Sequence, residues 1–404
     1  MVNPNSFNNL RLILDFLKPL LLGNRQWVFI GADGPPYTLL RRIIEEEPLK
    51  YSWVVLVSGR GHLGMNQLKT FFKVVDKVFG EILGKDVLNF NTPKAYSYFI
   101  DCKDTHKSWQ SLEIFLHGTT MEMVHMYKAT LGDGDLPTAM GFLDWQAETA
   151  SESETFDFIS QITLSVALAI YIQRVGDRNN DEEVSEAGRL KFMNMFYGFN
   201  HPIYREIEYN ELRQKVCCPS PISELRKQNL TFSSSSSCPK ANHEGGDFKL
   251  ENQIKKIKAL APKGKKDEEM WRRTIRGTPA VAKVVEYGKQ LLKMQDEQAS
   301  RKVRIEPEVV KWRAHLRYSN YLSVESDHVL SMSGARLSDS LTDFSHSLKC
   351  SRLHFWKMVQ EGTPLQSIRY PNVRVQADSD DEDGDDVIEC YDDTSSDDED
   401  LDYD

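Results

Sequence analysis

Two short, continuous apolar runs constrain this chain more than any other feature, because each ends in turn-forming residues and passes at once into a helical pattern. The first, Trp27-Val28-Phe29-Ile30, ends at Gly31-Ala32-Asp33-Gly34-Pro35-Pro36. The second, Tyr51 to Ser58, runs into Gly59-Arg60-Gly61-His62. Unbroken apolar runs of this length are typical of strands buried on both faces. Between them Leu39, Leu40, Ile43 and Ile44 fall at helical spacing. After the second, Leu68, Phe72, Val75, Phe79 and Ile82 repeat by fours and threes, as one buried helix stripe does. Strand, helix, strand, helix with short connections reads as a parallel βαβ unit. Ligands of such sheets gather beyond the carboxyl ends of the strands, so Asp33 and His62 are expected on a common rim.

The remainder of the chain reads as mostly helical. Ser6 is placed to cap a first helix with Phe7, Leu10, Leu14 and Leu17 on one face, and Pro19 is expected to stop it. From about residue 105 to 215 no strand pattern is visible, and segments 107–130, 155–175 and 184–200 are apolar-periodic. Leu212 to Gly246, with prolines beside Cys217-Cys218 and the serine run 233–237, reads as a loop. Helices resume at 247–260 and 267–298, and residues 300–376 offer aromatic packing around Trp312, Tyr318 and Trp356. The expected organisation is an α/β core over 1–104, a helical insertion and loop over 105–245, and further helices over 246–300. A mixed C-terminal region over 301–377 and an acidic tail over 378–404 complete it.

Charge is divided unevenly. Between Asp378 and Asp404 there are 16 of the 60 acidic residues and no Lys or Arg, so the body, with its 50 basic residues, carries a net charge of about +6. A tail of this composition has nothing to bury and is expected to be disordered. Six cysteines in 404 residues make no disulfide framework. The apolar stretch Leu10 to Leu22 is interrupted by Asp15, Lys18 and Pro19, and Ile162 to Ile172 is shorter than the roughly 20 residues a membrane span needs. A nuclear or cytoplasmic protein without a membrane partner is expected.

Three features carry chemistry when taken in order. Asp33 ends a strand; His62 follows the next strand in G-R-G-H-L-G-M-N, with Asn66 a turn later; and Glu251 stands far downstream in G-G-D-F-K-L-E-N-Q-I-K. Singly, each has a plainer reading: turn chemistry, a structural histidine, a solvated helix face. Together they resemble the RNase H-like transposases of the DDE type, the Mutator-like group above all. The chain is more closely similar to domain-of-unknown-function family 6589, a transposon-derived family. Gly176-Asp177, Gly188-Arg189-Leu190 and Phe196 to Tyr204 resemble that family's helical region, and the similarity covers about residues 20–300.

The resemblance implies a partial RNase H-like core with a large helical insertion. It implies Asp33 and Glu251 as the second and third acids of a Mg²⁺-holding triad, with His62 beside them. Such sites hold two Mg²⁺ ions that clamp the attacking and leaving oxygens of a phosphodiester, and hard cations take carboxylate ligands. The family's C-x-x-H pattern is broken by Gly59. Its first acid is expected upstream of Asp33, where only Asp15 occurs, in mid-helix. The expectation is therefore a transposase-derived protein, catalytically incomplete, with DNA as partner. The alternatives are a nuclear interaction protein whose acidic tail binds basic proteins, and a nuclease completed by further upstream sequence.

Further candidates are weaker. Lys255, Lys256, Lys258, Lys263, Lys265 and Lys266, with Arg272 and Arg273, form the densest basic run and suit either DNA phosphates or a solvated helix. Cys217, Cys218, Cys238 and His243 match no standard zinc spacing, and Cys102 with His106 still less. Ser379, Thr394, Ser395 and Ser396 precede acidic residues and suit an acid-directed kinase. Neither a phosphate-binding Gly-x-x-x-x-Gly-Lys loop nor a Gly-x-Ser-x-Gly elbow occurs.

Overall fold

Asp33 closes the first strand and opens the next helix, since its carboxylate accepts a hydrogen bond from the Gly34 amide at 2.7 Å. The computed structural model describes residues 6–23, 27–198, 201–217, 220–228, 231–233, 243–260, 268–291 and 304–322. All of them belong to one compact unit, Met1–Ser351. Its first part runs α1 (Phe7–Leu21), β1 (Val28–Ala32), α2 (Gly34–Glu46), β2 (Val54–Ser58) and α3 (Arg60–Val75). β1 and β2 pair in parallel, Val28 opposite Val54 through to Ala32 opposite Ser58. The βαβ reading therefore holds, with both strands a little shorter or shifted. Tyr51 is absorbed by a turn back to Glu47 before β2 begins. Pro19 does not stop α1 where expected; it sits inside the helix, whose last turn continues to Leu21.

After α3 the helix widens into two π-helical segments, Asp76–Gly80 and Ile82–Val87. The helical stretch then follows as α4 (Pro93–Ile100), α5 (Thr105–Ala129), α6 (Ala139–Glu152) and α7 (Glu154–Gln161). A third π-helical segment, Ile162–Ala167, leads into α8 (Leu168–Asn179), α9 (Glu182–Gly198) and α10 (Pro202–Cys217). The region read as a loop contains more structure than expected: α10 reaches Cys217, α11 spans Ser220–Gln228, and β3 (Phe232–Ser233) pairs antiparallel with β4 (His243–Glu244). The reason is positional. Pro221 falls in the first turn of α11, where a missing amide costs nothing and the fixed φ suits the helix. Then come α12 (Gly246–Leu260), α13 (Glu268–Leu291) and α14 (Glu306–Tyr318). The described residues are thus mostly helical around a two-stranded parallel sheet.

Two apolar clusters hold this together. The smaller joins α1, α2 and the strands through Leu14, Tyr37, Ile43, Tyr51 and Leu56, with Ile207 of α10. The larger is helical, built on Phe71, Phe72, Phe79, Phe115, Phe156 and Phe196, and closed by Trp312 of α14. Trp312 lies edge-on to Phe79, centroids 5.4 Å apart, and its indole donates to Thr119 Oγ1 at 3.0 Å. The helix from Thr155 to Asn179 is long and apolar enough to cross a membrane, beyond the eleven-residue run visible in the sequence. Its most apolar window is 61% buried inside the protein, and Phe156, Ile159, Ile162 and Ile170 belong to the large core, so it is a core helix. Gly188 lets α9 lie against α8: a Cβ there would come within 2.5 Å of the Gln173 amide nitrogen.

Candidate functional site

The carboxyl ends of β1 and β2 meet where the Gly59 amide donates to the Ala32 carbonyl at 2.8 Å. One residue after Ala32 comes Asp33, and three after Gly59 comes His62, in the first turn of α3. Their side chains face each other, His62 Nε2 and Asp33 Oδ2 being 3.6 Å apart, an electrostatic contact longer than a hydrogen bond. The common rim expected from the strand ends is present.

A second acid reaches the same histidine. Asp247, in the first turn of α12, accepts from His62 Nδ1 at 2.9 Å and from the His62 amide at 2.9 Å. Its other oxygen accepts from the Gly61 amide at 3.0 Å. The approach is close because the loop has no side chains to obstruct it. A Cβ at Gly59 would lie 2.5 Å from Asp247 Oδ2, and one at Gly61 would lie 2.7 Å from Phe248 Cβ. A cysteine at position 59 would collide with Asp247. Glu251, the acid expected here, stands one helical turn farther along α12, and its side chain lies outside the described residues.

Tyr204 of α10 completes the cluster. Its hydroxyl donates to Asp33 Oδ1 at 3.1 Å and accepts from Asn66 Nδ2 at 2.6 Å, while Asn66 also donates to the His62 carbonyl. Burial raises the Asp33 carboxyl above its ordinary range, opposed by His62 and by the Tyr204 hydrogen bond. Asp247 is pushed up by burial too, but the hydrogen bonds from His62 and Gly61 outweigh this and hold it below the usual carboxylate range.

Behind the rim lies a buried ionic cluster. Glu211 of α10 accepts from the Ser58 amide at the end of β2 at 2.9 Å and from Arg226 of α11. Arg60 Nη2 and Arg189 Nη1 are 3.8 and 3.6 Å from its Oε2. Arg189 of α9 also forms a two-pronged bond to Glu208. Burial alone would raise the Glu211 carboxyl, yet Arg226, Arg189 and Arg60 bring it down to about 2. The cluster ties the end of β2 to α9, α10 and α11, and so fixes where α3, which carries His62, begins.

Mg²⁺ was expected at Asp33 and Glu251. Among the described residues no group of three or more His, Cys, Asp and Glu side chains is arranged to hold a metal ion. Both oxygens of Asp247 and one of Asp33 are occupied by hydrogen bonds, which leaves Asp33 Oδ2 opposite an imidazole. The side chain of Glu251, the other half of the expected pair, lies outside the described residues. Asp15, the only acid before Asp33 in the sequence, pairs with Lys50 at 3.0 Å and Tyr51 at 3.2 Å, beside the amino end of β2.

The other candidates divide. Lys255 and Lys258 are exposed on α12; the side chain of Lys256, together with Lys263, Lys265 and Lys266, lies outside the described residues, as do Ser379, Thr394, Ser395 and Ser396. So do the Cys217 side chain, Cys218 and Cys238, whereas His243 Nδ1 meets Thr231 Oγ1 at 3.2 Å. Cys102 is a buried free thiol, pushed up to about 12 by burial, and belongs to the large core. Asp247, Tyr204 and Glu211 were not picked out by sequence reasoning. Only Asp247 left a signal: it follows Gly245-Gly246, a second glycine-rich stretch able to approach the first closely. No protein-family model, no curated protein and no solved structure matches the chain.

Proposed function

We propose that this chain is a transposase-derived, RNase H-like scaffold that binds DNA and does not cut it. The observation that carries the reading is the convergence of Asp33, His62 and the first turn of α12 at the carboxyl edge of a parallel βαβ unit. The chain returns to that edge only after its long helical stretch, the order in which the resembled transposases assemble their acids. The loss of cleavage is supported by the first acid, since Asp15, the only acid before Asp33 in the sequence, is engaged with Lys50 and Tyr51 away from that edge. Asp247 and His62 form a clasp that docks α12, and Asp33 caps α2 while holding Tyr204. Exposed Lys255 and Lys258, farther along α12, give phosphates a point of contact on the same helix.

The test is nicking of supercoiled plasmid by the purified chain in Mg²⁺, run beside duplex DNA binding by fluorescence anisotropy. Binding that weakens steeply with salt, without nicking, is the expected result. Mg²⁺-dependent nicking abolished by Asp33→Ala would overturn the loss of cleavage and restore the nuclease reading. Absence of DNA binding at low salt would overturn the scaffold reading.

A further inference from the structure

The two faces of the parallel sheet differ in what covers them. Side chains alternate along a strand, and Val28, Ile30 and Ala32 of β1 pack against the smaller core beside Val54 and Leu56 of β2. Trp27, Phe29 and Gly31 therefore occupy the opposite face, with Val55 and Val57 as the register partners of Phe29 and Gly31. Among the described residues, none of these five belongs to either apolar cluster or packs against one. Trp27, Phe29, Val55 and Val57 are half-buried, and Gly31 is exposed. Parallel sheets are as a rule covered on both faces, so this face is open to an occupant.

The residues on it point to one kind of occupant. Trp27 and Phe29 are in edge contact, ring centroids 5.7 Å apart and planes at 69°, so the two rings are not stacked on each other. Gly31, next in the row, adds no side chain, and a Cβ there would meet nothing nearer than Val57 Cγ2 at 4.0 Å. Asp33 follows two residues later in extended backbone, so the row leads to the rim where Asp33 faces His62. Positive charge flanks it, since α12 packs beside β1 and exposes Lys255 and Lys258. Aromatic rings on an open sheet face, with lysines beside them, are the two parts of a single-strand site. Bases of any sequence stack on the rings, and the phosphates meet the positive charge. A base inside a duplex has both faces covered by its neighbours, so the ligand that fits is unpaired.

We propose that the Trp27–Phe29 face of the sheet is a platform on which unpaired bases of a DNA strand stack, with the strand's phosphates towards α12. This rests on the reading of the chain as a DNA-binding scaffold, and it narrows the ligand to single-stranded DNA lying against the Asp33–His62 rim.

The experiment is fluorescence anisotropy with labelled oligothymidylate and with a duplex oligonucleotide, for the full chain beside Trp27→Leu and Phe29→Leu. Leucine keeps apolar contacts and removes the ring, and circular dichroism confirms that each variant folds. Oligothymidylate is expected to bind more tightly than duplex, and each substitution to weaken it about tenfold, the scale of one stacked base. Duplex binding should be little changed. If neither variant folds, Gly31→Ile, whose Cβ has room, masks the platform and must weaken single-strand binding as strongly. Equal affinity of wild type and a folded variant for oligothymidylate would overturn the proposal. Duplex binding without preference for the single strand also overturns it and leaves the scaffold reading standing, whereas binding of neither ligand at low salt overturns both. A wild type that sediments as a dimer, turns monomeric in Gly31→Ile and ignores oligothymidylate assigns the face to a second copy, against the proposal.

Discussion

At the scale of single residues, the arrangement turns on two glycines. Gly59 and Gly61 let the start of α12 come within hydrogen-bond distance of the His62 backbone, and a methyl group at 61 has the Cβ of Phe248 in its way. Gly61→Ala is expected to cost about 1–3 kcal/mol, the usual range for overpacking. Urea unfolding measures that cost. Hydrogen exchange should show protection falling in residues 246–260 first, and an unchanged exchange pattern there would mean that α12 does not dock through this loop. The same residues show what the sequence made legible. Asp33 and His62 were placed together because strand ends in a parallel unit share one edge. Which acid of α12 meets them was not legible, because Asp247 and Glu251 are four residues apart and share a helical face. Only the packing of α12 on α3 decides which turn lies against the histidine.

At the scale of elements, α10 is the part that sequence patterns concealed. No apolar-periodic segment in the sequence marks it, yet it supplies Tyr204 to the rim, Ile207 to the smaller core and Glu211 to the ionic cluster. A helix that buries charged residues has no apolar stripe long enough to announce its role, and its partners lie at sequence separations that no local pattern reveals. Glu206 on the same helix makes a pH prediction. It pairs with Arg41 of α2, but burial outweighs that attraction and raises its carboxyl to about 7. A carboxyl raised on folding contributes stability that is present below its unfolded value, near 4.5, and lost as pH rises through about 7. Glu206→Gln is expected to flatten the fall in stability between those two values, as followed by thermal unfolding across pH. A slope identical to wild type would mean that Glu206 is not buried against α2 as described.

At the scale of the whole molecule, two cores of different kinds are joined by one contiguous set of helices. The βαβ part was legible because its apolar runs are continuous and its turns are marked by glycine and proline. The membership of the large core was only partly so. Trp312 stands among the aromatic sites of the sequence, but nothing local indicates that it packs against Phe115 of α5 and Phe79 of the first π-helical segment, both far upstream. Trp312→Ala is expected to destabilise the protein by about 3–5 kcal/mol through cavity formation and loss of the bond to Thr119. Chemical denaturation tests this, and a loss under 1 kcal/mol would place α14 outside the core.

The seat of Trp312 in that core also sets the order in which the protein can be completed. A ribosome making the chain has already released the phenylalanines of α3, α5 and α7 long before α14 exists, and until then the pocket beside Gly118 is open. Apolar surface belonging to the largest core therefore waits, exposed to chaperones and to other nascent chains, for a segment that arrives late. Truncation between α12 and α14 would prolong that interval indefinitely, so a messenger stopped there yields a product that holds its rim residues and still cannot close.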